Sequence, residues 1–227
     1  MKKVLPDGKP LNCFLQSRAE INEATDEIQR YGLIPHGISA KNWDIMRILP
    51  RIPDGNFCDL GADGSFILQN LFYCGHEGLR YGIDLAFPEN PSAPEGIKYF
   101  RGDLMQTPFT DGRFNTLTCL SVVEHQVEYA ALARECSRLL TYGGQLFLTC
   151  DYWNPKVKTE GMKLYSLNWN ILDKENIVDL VSEMDRVGLK ITSDIDWKLN
   201  EAVINPAYCS PVQGVSYTFG IFHFIKT

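Results

Sequence analysis

The sequence predicts an α/β fold built on a mostly parallel seven-stranded sheet, with helices on both faces and an antiparallel C-terminal strand. From residue 54 onward, short apolar segments alternate with segments of helical period, which is typical of parallel strands joined by helices. The first apolar segment runs into a turn, Gly61-Ala62-Asp63-Gly64, that leads into a helical pattern. The chain has 227 residues, which is enough for one well-buried domain of this class and short for two.

Residues 1–50 are predicted to form helices that precede the sheet. Apolar residues recur at steps of three and four in two segments, and this spacing places them on one face of a helix. Gly32 is expected to close the first helix. Ser39 is expected to cap the second helix, which Pro50 ends.

Residues 54–152 are predicted to hold five strands and the helices between them. The strands are expected at residues 56–60, 81–84, 97–100, 116–122 and 145–150. One helix is expected over residues 65–74, and a second carries Tyr129, Leu132, Cys136 and Leu139 on one face. Gly143-Gly144 is interpreted as the turn before the fifth strand.

The remaining residues, 153–227, are predicted to complete the same domain. The segment from Asp151 to Leu172 has no clear period, and a segment of that length is more often a lid or binding loop than a plain connector. Asp173 is expected to cap a helix that Gly188 closes, with strands following at residues 189–197 and 215–225. We therefore interpret residues 1–227 as a single domain.

The composition favours a soluble cytoplasmic protein. The net charge of −6 argues against a nucleic-acid partner, because such partners select basic surfaces. No apolar run approaches the ~20 residues that span a bilayer, and the residues after Met1 do not form a signal peptide, so no membrane association is expected. The seven cysteines are scattered without metal-ligand spacing, so we interpret them as reduced packing residues and predict no metal site.

The glycine turn and the acid that ends the second strand form a pattern with a chemical purpose. Glycines let a backbone approach a bound ligand closely, and Asp84 stands where a carboxylate accepts hydrogen bonds from ribose hydroxyls. This is the general arrangement of dinucleotide-binding domains. Strands that end in Asp are common, so this pattern alone leaves a purely structural turn open.

Further segments occur in an order that one family shares. They are Asp59-Leu60-Gly61-Ala62-Asp63-Gly64-Ser65, Tyr81-Gly82-Ile83-Asp84, Gly102-Asp103-Leu104, Pro108-Phe109-Thr110-Asp111-Gly112-Arg113-Phe114-Asn115, Leu120-Ser121-Val122-Val123-Glu124-His125 and Leu139-Leu140-Thr141-Tyr142-Gly143-Gly144. In this order they resemble the motifs of class I S-adenosylmethionine (SAM)-dependent methyltransferases, whose first motif is usually DxGxGxG. The resemblance covers residues 54–152 well and the last 75 residues in outline. It implies a Rossmann-like fold, SAM as the cofactor and methyl transfer as the activity.

The resemblance also implies a distinct role for each of three segments of the chain. Residues 1–50 become an N-terminal helical cap, residues 54–152 the cofactor-binding core, and residues 153–227 the acceptor-side loop with the C-terminal helix and strands. Within the core, Asp84 is expected to bind the ribose and Asp103 to lie beside the adenine amino group. The full set implied for cofactor binding is Asp59, Gly61, Ala62, Asp63, Gly64, Asp84, Leu85, Gly102, Asp103, Leu104, Ser121 and Val122.

Three positions depart from the family pattern. Asp63 stands where the second motif glycine is usual, Ser65 replaces the third glycine, and Asn115 replaces the usual Asp. Asp63 places an additional carboxylate near the cofactor or reshapes the turn, and Gly64 is then the compensating glycine. The departures leave open a second function, that of a non-catalytic SAM-binding or scaffold protein.

His125 and Glu124 are the candidate catalytic residues. Methyl transfer needs a general base only if the attacking atom must lose a proton. His125 is the preferred base, because the ordinary pKa of histidine lies near neutrality and a histidine at this motif position is the suspected base in some similar small-molecule methyltransferases. Alternatively, the Glu-His pair only caps the following helix and holds the loop.

The methyl acceptor is expected to be a small molecule or a sugar-like intermediate. Its pocket should lie above the carboxyl edge of the sheet, between the N-terminal cap and the 151–172 loop. That loop region carries Tyr152, Trp153, Tyr165 and Trp169, which suit an amphipathic or ring-containing acceptor. Alternatively, these aromatic residues only anchor the loop to the core.

An NAD(P)-dependent oxidoreductase would share the fold and remains a second alternative. Tyr152 and Lys156 have the Tyr-x-x-x-Lys spacing of short-chain dehydrogenases. That pair must share a helix face, and Pro155 between them disfavours a helix interior. The turn after the first strand also lacks the three-glycine fingerprint of nicotinamide nucleotide binding.

Overall fold

The computed structural model describes residues 2–208, 210–212 and 214–227, and their elements alternate as predicted. The strands are β1 (Cys13–Phe14), β2 (Phe57–Leu60), β3 (Arg80–Asp84), β4 (Ile97–Arg101), β5 (Phe114–Leu120), β6 (Leu140–Tyr152), β7 (Lys163–Leu164), β8 (Leu167–Asn168), β9 (Leu189–Ile191) and β10 (Thr218–Lys226). The helices are α1 (Arg18–Arg30), α2 (Asn42–Ile48), α3 (Ile67–Tyr73), α4 (Tyr129–Leu139) and α5 (Lys174–Arg186). Short 3₁₀ turns at Ser39–Lys41 and Leu49–Arg51 flank α2.

One mixed sheet organises the molecule, in the order β1-β10-β6-β5-β2-β3-β4 with β9 also paired to β10. The pairs among β2, β3, β4, β5 and β6 are parallel, whereas β10 runs antiparallel to β6. These observations confirm the predicted Rossmann-like fold with its antiparallel C-terminal strand. The β7–β8 hairpin is separate from this sheet.

The sheet contains eight strands within the described residues, one more than the predicted seven. The additional strand is β1, whose Cys13 and Phe14 pair with Ile221 and Gly220. Two residues carry no alternating pattern, so sequence periodicity cannot reveal such a strand. β1 also explains why the predicted strand 189–197 shortens to β9, which pairs only with residues 224–226 at the other end of β10.

The chain reverses its direction of travel across the sheet between β2 and β5. From β2 it proceeds outward through β3 to β4, and it then returns to place β5 on the other side of β2. A topological switch point of this kind opens a crevice at the carboxyl ends of the two strands, because their following loops diverge to opposite sides. The candidate site residues follow β2, β3, β4 and β5, so they gather at this edge.

Helices cover both faces of the sheet. Buried residues of α1, α2 and α3 form one apolar cluster, which includes Ile28, Trp43 and Leu68. Buried residues of α4 and α5 form the second cluster on the opposite face, which includes Leu132 and Leu180. The N-terminal cap therefore packs on the same face as α3, beside the crevice.

Several predicted helix ends are confirmed. Asp173 forms a reciprocal capping box with Asn176 at the start of α5. Gly32 and Gly188 follow α1 and α5 with φ of +59° and +81°, the left-handed conformation that glycine adopts without strain. The periodic residues from Tyr129 to Leu139 form α4.

Two local predictions are wrong. Ser39 does not cap α2, because the chain first makes the 3₁₀ turn, and the Ser39 hydroxyl instead contacts the Tyr208 hydroxyl at 2.7 Å. Gly143-Gly144 is not a turn before a strand but lies inside β6, which begins at Leu140. The left-handed φ of Gly143, +74°, accommodates an irregularity in the pairing of β5 with β6.

The structure also describes the cysteines, the possible metal ligands and the apolar character of the helices. Cys13, Cys58, Cys74, Cys119, Cys136 and Cys150 are buried free thiols, and Cys209 lies outside the described residues. Within residues 2–208, 210–212 and 214–227, no three His, Cys, Asp or Glu side chains are placed to hold a metal ion. None of the helices in this part of the chain combines the length and the apolar character needed to cross a bilayer.

Candidate active site

The turn after β2 depends on two glycines in the left-handed region. Gly61 has a φ of +85°, and its N–H donates to the Ile83 carbonyl at 2.9 Å. A Cβ atom at residue 61 would lie 2.3 Å from Cγ2 of Val122, so Gly61 also lets the loops after β2 and β5 approach each other at the switch point. Gly64 has a φ of +71° and open space around its Cα. Asp63 does not adopt a positive φ, which explains how the turn tolerates it.

Asp84 is fixed on this turn by backbone donors. Its Oδ2 accepts a hydrogen bond from the Asp63 N–H at 3.0 Å, and its Oδ1 accepts one from the Ala86 N–H at 2.8 Å. Each carboxylate oxygen can accept a further hydrogen bond, so the group is oriented without being saturated. Leu85, the next residue, is 57% exposed at the rim.

Asp59 lies beneath the turn rather than beside it. Its side chain is fully buried, and its Oδ1 accepts a hydrogen bond from the Thr118 hydroxyl at 2.6 Å. Burial raises the pKa of the Asp59 carboxyl to about 7, against the effect of the Thr118 bond. Asp59 and the buried Ala62 therefore support the turn from below.

The loop after β4 reaches the same edge of the sheet. The Gly102 N–H donates to the Asp84 carbonyl at 3.1 Å, which ties the ends of β3 and β4 together. Asp103 Oδ1 accepts a hydrogen bond from the Met105 N–H at 2.8 Å, as expected of a turn-forming residue. The Leu104 side chain is buried among core residues, so it faces away from solvent.

Ser121 and Val122 lie directly after β5. Ser121 has a φ of +54°, which is uncommon for a residue other than glycine. Its N–H donates to both the carbonyl and the hydroxyl of Thr149 in β6, at 3.0 and 3.1 Å. Val122 faces Gly61, so the structure brings the predicted residues of the β2, β3, β4 and β5 loops to one edge.

Glu124 and His125 are neighbours that contact different groups. Glu124 is buried, its Oε1 accepts a hydrogen bond from the Asp151 N–H at 3.3 Å, and its carbonyl accepts one from the Asn170 N–H at 2.9 Å. Burial raises the pKa of the Glu124 carboxyl well above its usual range. These contacts tie the loop after β5 to β6 and to the 151–172 segment. The pair does not cap the following helix, because the N-cap of α4 is Glu128.

His125 lies beside Tyr165 and stays uncharged at neutral pH. Its ring lies edge-on to Tyr165, with ring centroids 5.7 Å apart. Burial, reinforced by the nearby Lys41 charge, lowers the pKa of His125 to about 4, well below the near-neutral value on which the sequence interpretation rested. A neutral imidazole has a lone pair with which to accept a proton.

The aromatic residues of the loop divide into two groups. Tyr152 and Trp169 are 1% and 2% exposed, so they anchor the segment. Tyr165 is 82% exposed and stands at the tip of the β7–β8 hairpin beside His125. Trp153 is half-buried against the core. Of these four residues, only Tyr165 offers its ring freely to a ligand.

Tyr152 and Lys156 do not form a dehydrogenase pair. Tyr152 ends β6 with its ring stacked on Phe14 at 4.0 Å, and no helix continues from it. The Lys156 ammonium is held by Asn170, Ile171 and Asn176. The two side chains therefore share no helix face.

Sequence reasoning missed three charged residues at this edge. Lys41 and Asp44 come from the N-terminal cap, and Asp151 is the residue before the last one of β6. Its Oδ2 accepts a hydrogen bond from the Trp169 indole at 2.8 Å. Burial raises the pKa of Asp151 to about 6. The rule that identified Asp84, an acid at the carboxyl end of a strand, could also have identified Asp151. No local pattern distinguishes Lys41 or Asp44.

Comparison with known families agrees with this geometry. A family model described as a methyltransferase domain matches residues 59–148, which run from β2 through most of β6. Residues 59–148, about two fifths of the chain, are therefore similar to a methyltransferase domain, in agreement with the order of motifs in the sequence.

Among curated relatives, the match is strong but short. The chain is 44% identical over 45 residues to the ubiquinone biosynthesis O-methyltransferase of Pseudomonas paraeruginosa. The matched segment spans 20% of this chain and 19% of that relative. It therefore covers only about a fifth of either protein and leaves most of each outside the match.

Solved structures share the fold over most of the chain. The geranyl diphosphate C-methyltransferase of Streptomyces coelicolor A3(2), solved with S-adenosyl-L-homocysteine, matches with a TM-score of 0.54 and 15% identity, covering 92% of this chain and 77% of that one. The [4+2]-cyclase SpnF matches with a TM-score of 0.57 and 14% identity, covering 97% and 99%. At these identities the similarity concerns the fold.

Proposed function

We propose that this methyltransferase transfers the methyl group of SAM to a small, sugar-like acceptor. One observation carries the proposal: the Asp84 carboxylate and the glycine turn lie at the switch point, beside the loop that carries His125. In this proposal Asp84 would bind the ribose and His125 would accept a proton, both along the carboxyl edge of the sheet, where ligands of this fold class bind. The acceptor belongs on the far side of His125, under Tyr165.

The residues present fit SAM. Asp84 is oriented by two backbone N–H groups and retains acceptor capacity for two ribose hydroxyls. Gly64 leaves open space at the turn, where any side chain would stand between the backbone and a ligand. Ser121 and Val122 would line the adenosyl pocket through backbone atoms, and Asp103 would stand nearest the adenine amino group.

The reaction is an in-line displacement in which positioning supplies much of the acceleration. When bound, SAM supplies a methyl group activated by a positively charged sulfur. The chain's own residues orient the acceptor and receive the proton that its nucleophile loses. We assign that proton to His125, because its ring is neutral at pH 7 and lies beside Tyr165; its pKa of about 4 makes it a weak base.

Buried carboxyl groups and an exposed ring support a hydroxyl-rich acceptor. Glu124 lies in the loop after β5 and Asp151 near the carboxyl end of β6, and carboxyl oxygens accept hydrogen bonds from hydroxyl groups. Tyr165 offers a flat apolar face to a ring. The net charge of −6 supports an acceptor that is not a nucleic acid, and the six buried free thiols support a cytoplasmic location.

The cofactor is tested by thermal shift with SAM, S-adenosylhomocysteine (SAH), NAD and NADP. We expect stabilisation by SAM and SAH and none by the nicotinamide nucleotides, because binding to the folded state raises its apparent stability. Stabilisation by NAD or NADP alone would support an oxidoreductase. No response to any of the four would support the scaffold alternative.

The acceptor is tested with methyl-labelled SAM incubated with separate pools of metabolites, glycans, peptides and RNA. We expect label in the metabolite or glycan pool only. Label confined to peptide or RNA would refute a small, sugar-like acceptor while leaving methyl transfer itself intact. Binding of SAM without label in any pool would favour a non-catalytic SAM-binding protein.

A further inference from the structure

Four polar residues form a closed ring of contacts, through their side chains and the Ser121 N–H, that joins the N-terminal cap to the ends of β5 and β6. The Lys41 ammonium donates to the Ser121 hydroxyl and lies 3.6 Å from Asp44 Oδ2. The Thr149 hydroxyl donates to the same Asp44 oxygen at 3.0 Å, and the Ser121 N–H donates to Thr149 Oγ1 at 3.1 Å. Each member thus contacts the next, and the last returns to the first.

The ring encloses Ser121, which is one of two non-glycine residues with a positive φ in the loop between β5 and α4; the other is Gln126. Ser121 has a φ of +54°, and a non-glycine residue persists there only where its surroundings over-determine it. Ser121 starts the turn that places Val122 against Gly61 and that continues to His125. Whatever fixes Ser121 therefore also fixes the direction of this turn.

The Lys41–Asp44 pair is well placed to supply that constraint. The Asp44 and Thr149 side chains are 1% and 0% exposed, and the Lys41 side chain is 16% exposed. The Lys41 ammonium also lies 3.7 Å from the ring centroid of Phe219, so it is held between the Phe219 ring and Ser121. Removing the ammonium leaves a buried carboxyl without its ion pair and the Ser121 hydroxyl without its donor.

We infer that Lys41 is a positioning residue, which acts through Ser121 and Asp44 to hold the turn after β5 in the conformation that the cofactor site requires. The inference rests on the proposed function only in its last clause. The mechanical link between Lys41 and the turn exists whether or not SAM is the ligand.

The link itself is tested in the ligand-free chain by amide hydrogen exchange over residues 119–125. In Lys41→Met we expect exchange in this segment to accelerate at least fivefold, because the ring no longer holds the Thr149 hydroxyl, which is one of the two acceptors of the Ser121 N–H. Lys41→Arg, which keeps the charge, should retain most of the protection. Unchanged exchange in Lys41→Met would overturn the inference.

The functional consequence is tested by calorimetric titration with SAH in a double-mutant cycle. Lys41→Met should weaken SAH binding at least tenfold in the wild-type background and less than threefold in the Ser121→Gly background, since glycine adopts a positive φ without help. An equal loss in both backgrounds would show that Lys41 acts on the ligand directly and would overturn the inference. Failure of the wild type to bind SAH would instead overturn the proposed function.

Two variants keep the test decisive. Lys9→Met removes a lysine of the same N-terminal region whose ammonium pairs with Glu23 and Glu27, and it should change neither exchange at residues 119–125 nor SAH affinity. If Lys41→Met does not fold, Ser121→Ala removes only the hydroxyl and keeps the Lys41–Asp44 pair. It should then accelerate exchange more than Ser121→Gly does, and the reverse order would contradict the inference.

Discussion

The backbone N–H of Asp63 donates a hydrogen bond of 3.0 Å to the Asp84 carboxylate, so the acid that ends β3 is fixed on the turn that follows β2. The bond uses the main chain of Asp63, while its carboxylate remains exposed. The Asp at the position of the usual second glycine is therefore compatible with a functional ribose-binding acid.

Asp84→Asn should weaken SAH binding about 10- to 100-fold, because the neutral amide loses the charge-assisted hydrogen bonds and turns its NH₂ group toward a backbone donor. Asp63→Gly keeps the peptide N–H and should cost much less, below about threefold. Isothermal titration calorimetry measures both, with Asp54→Asn on the exposed opposite end as the control. Equal losses for the Asp63 and Asp84 variants would contradict this assignment.

Gly61→Ala should destabilise the fold more than Gly64→Ala. Both positions have positive φ, which costs a non-glycine residue about 1–2 kcal/mol, but only at residue 61 does the new Cβ collide with Val122. We expect a further ~1–3 kcal/mol at residue 61 from this overpacking. Urea denaturation measures the difference, and Val122→Ala in the Gly61→Ala background should recover part of it. Equal costs at the two glycines would argue against the close approach.

His223 should make the fold sensitive to mild acid. Burial lowers the pKa of His223 to about 4, whereas the unfolded chain binds this proton near pH 6.5. Stability is therefore lost as the pH falls from about 6.5 to about 4, because only the unfolded state takes up the proton. Relative to His223→Gln, the wild type should lose up to about 3 kcal/mol across this range.

Urea denaturation of both proteins at pH 7, 6, 5 and 4.5 measures that difference. The buried acids Asp59 and Asp151, whose raised pKa values act in the opposite direction, are present in both proteins and cancel. A difference that does not change with pH would show that His223 titrates normally in the fold.

His125→Gln should lower kcat about 10²- to 10³-fold if His125 receives the acceptor's proton, with little effect on SAH affinity. Because the pKa of His125 is lowered to about 4, wild-type activity should stay nearly level from pH 8 to about 5 on this account. A rate limb near pH 6 that persists in His125→Gln would assign the proton to Asp151 instead.

Tyr165→Ala should raise KM for the acceptor about fivefold, since an aromatic contact contributes on the order of 1 kcal/mol, and should leave SAH binding unchanged. Tyr142→Ala is a matched control, because Tyr142 is 83% exposed against 82% for Tyr165 but lies in β6 near its start. Steady-state kinetics with the acceptor found in the labelling screen measure both. Equal effects of the two variants would remove Tyr165 from the acceptor site.

The parts of the site that were predictable are those encoded locally. Asp84 ends a strand, and Gly61 and Gly64 form a turn between a strand and a helix, so short stretches of sequence are enough to place them. The parallel order of the sheet then brings these loops together without further information. The same reasoning located His125 beside them.

The parts that were not predictable depend on contacts between distant residues. Lys41 meets Ser121 across 80 positions, and Asp44 meets Thr149 across 105. The lowered pKa of His125 likewise arises from its burial and from Lys41, neither of which its own segment encodes. Trp169 is buried and its indole donates to Asp151, whereas Tyr165 is exposed. The sequence pattern does not distinguish these two aromatic residues.

The left-handed positions of the first turn, residues 61 and 64, have a consequence for recognising related chains. A search pattern that demands glycine at every second position of this motif would discard proteins in which, as in this chain, the second glycine stands one residue later, at residue 64 instead of 63. A pattern written in backbone conformations, with a peptide N–H aimed at the acid of the neighbouring strand, would retain them.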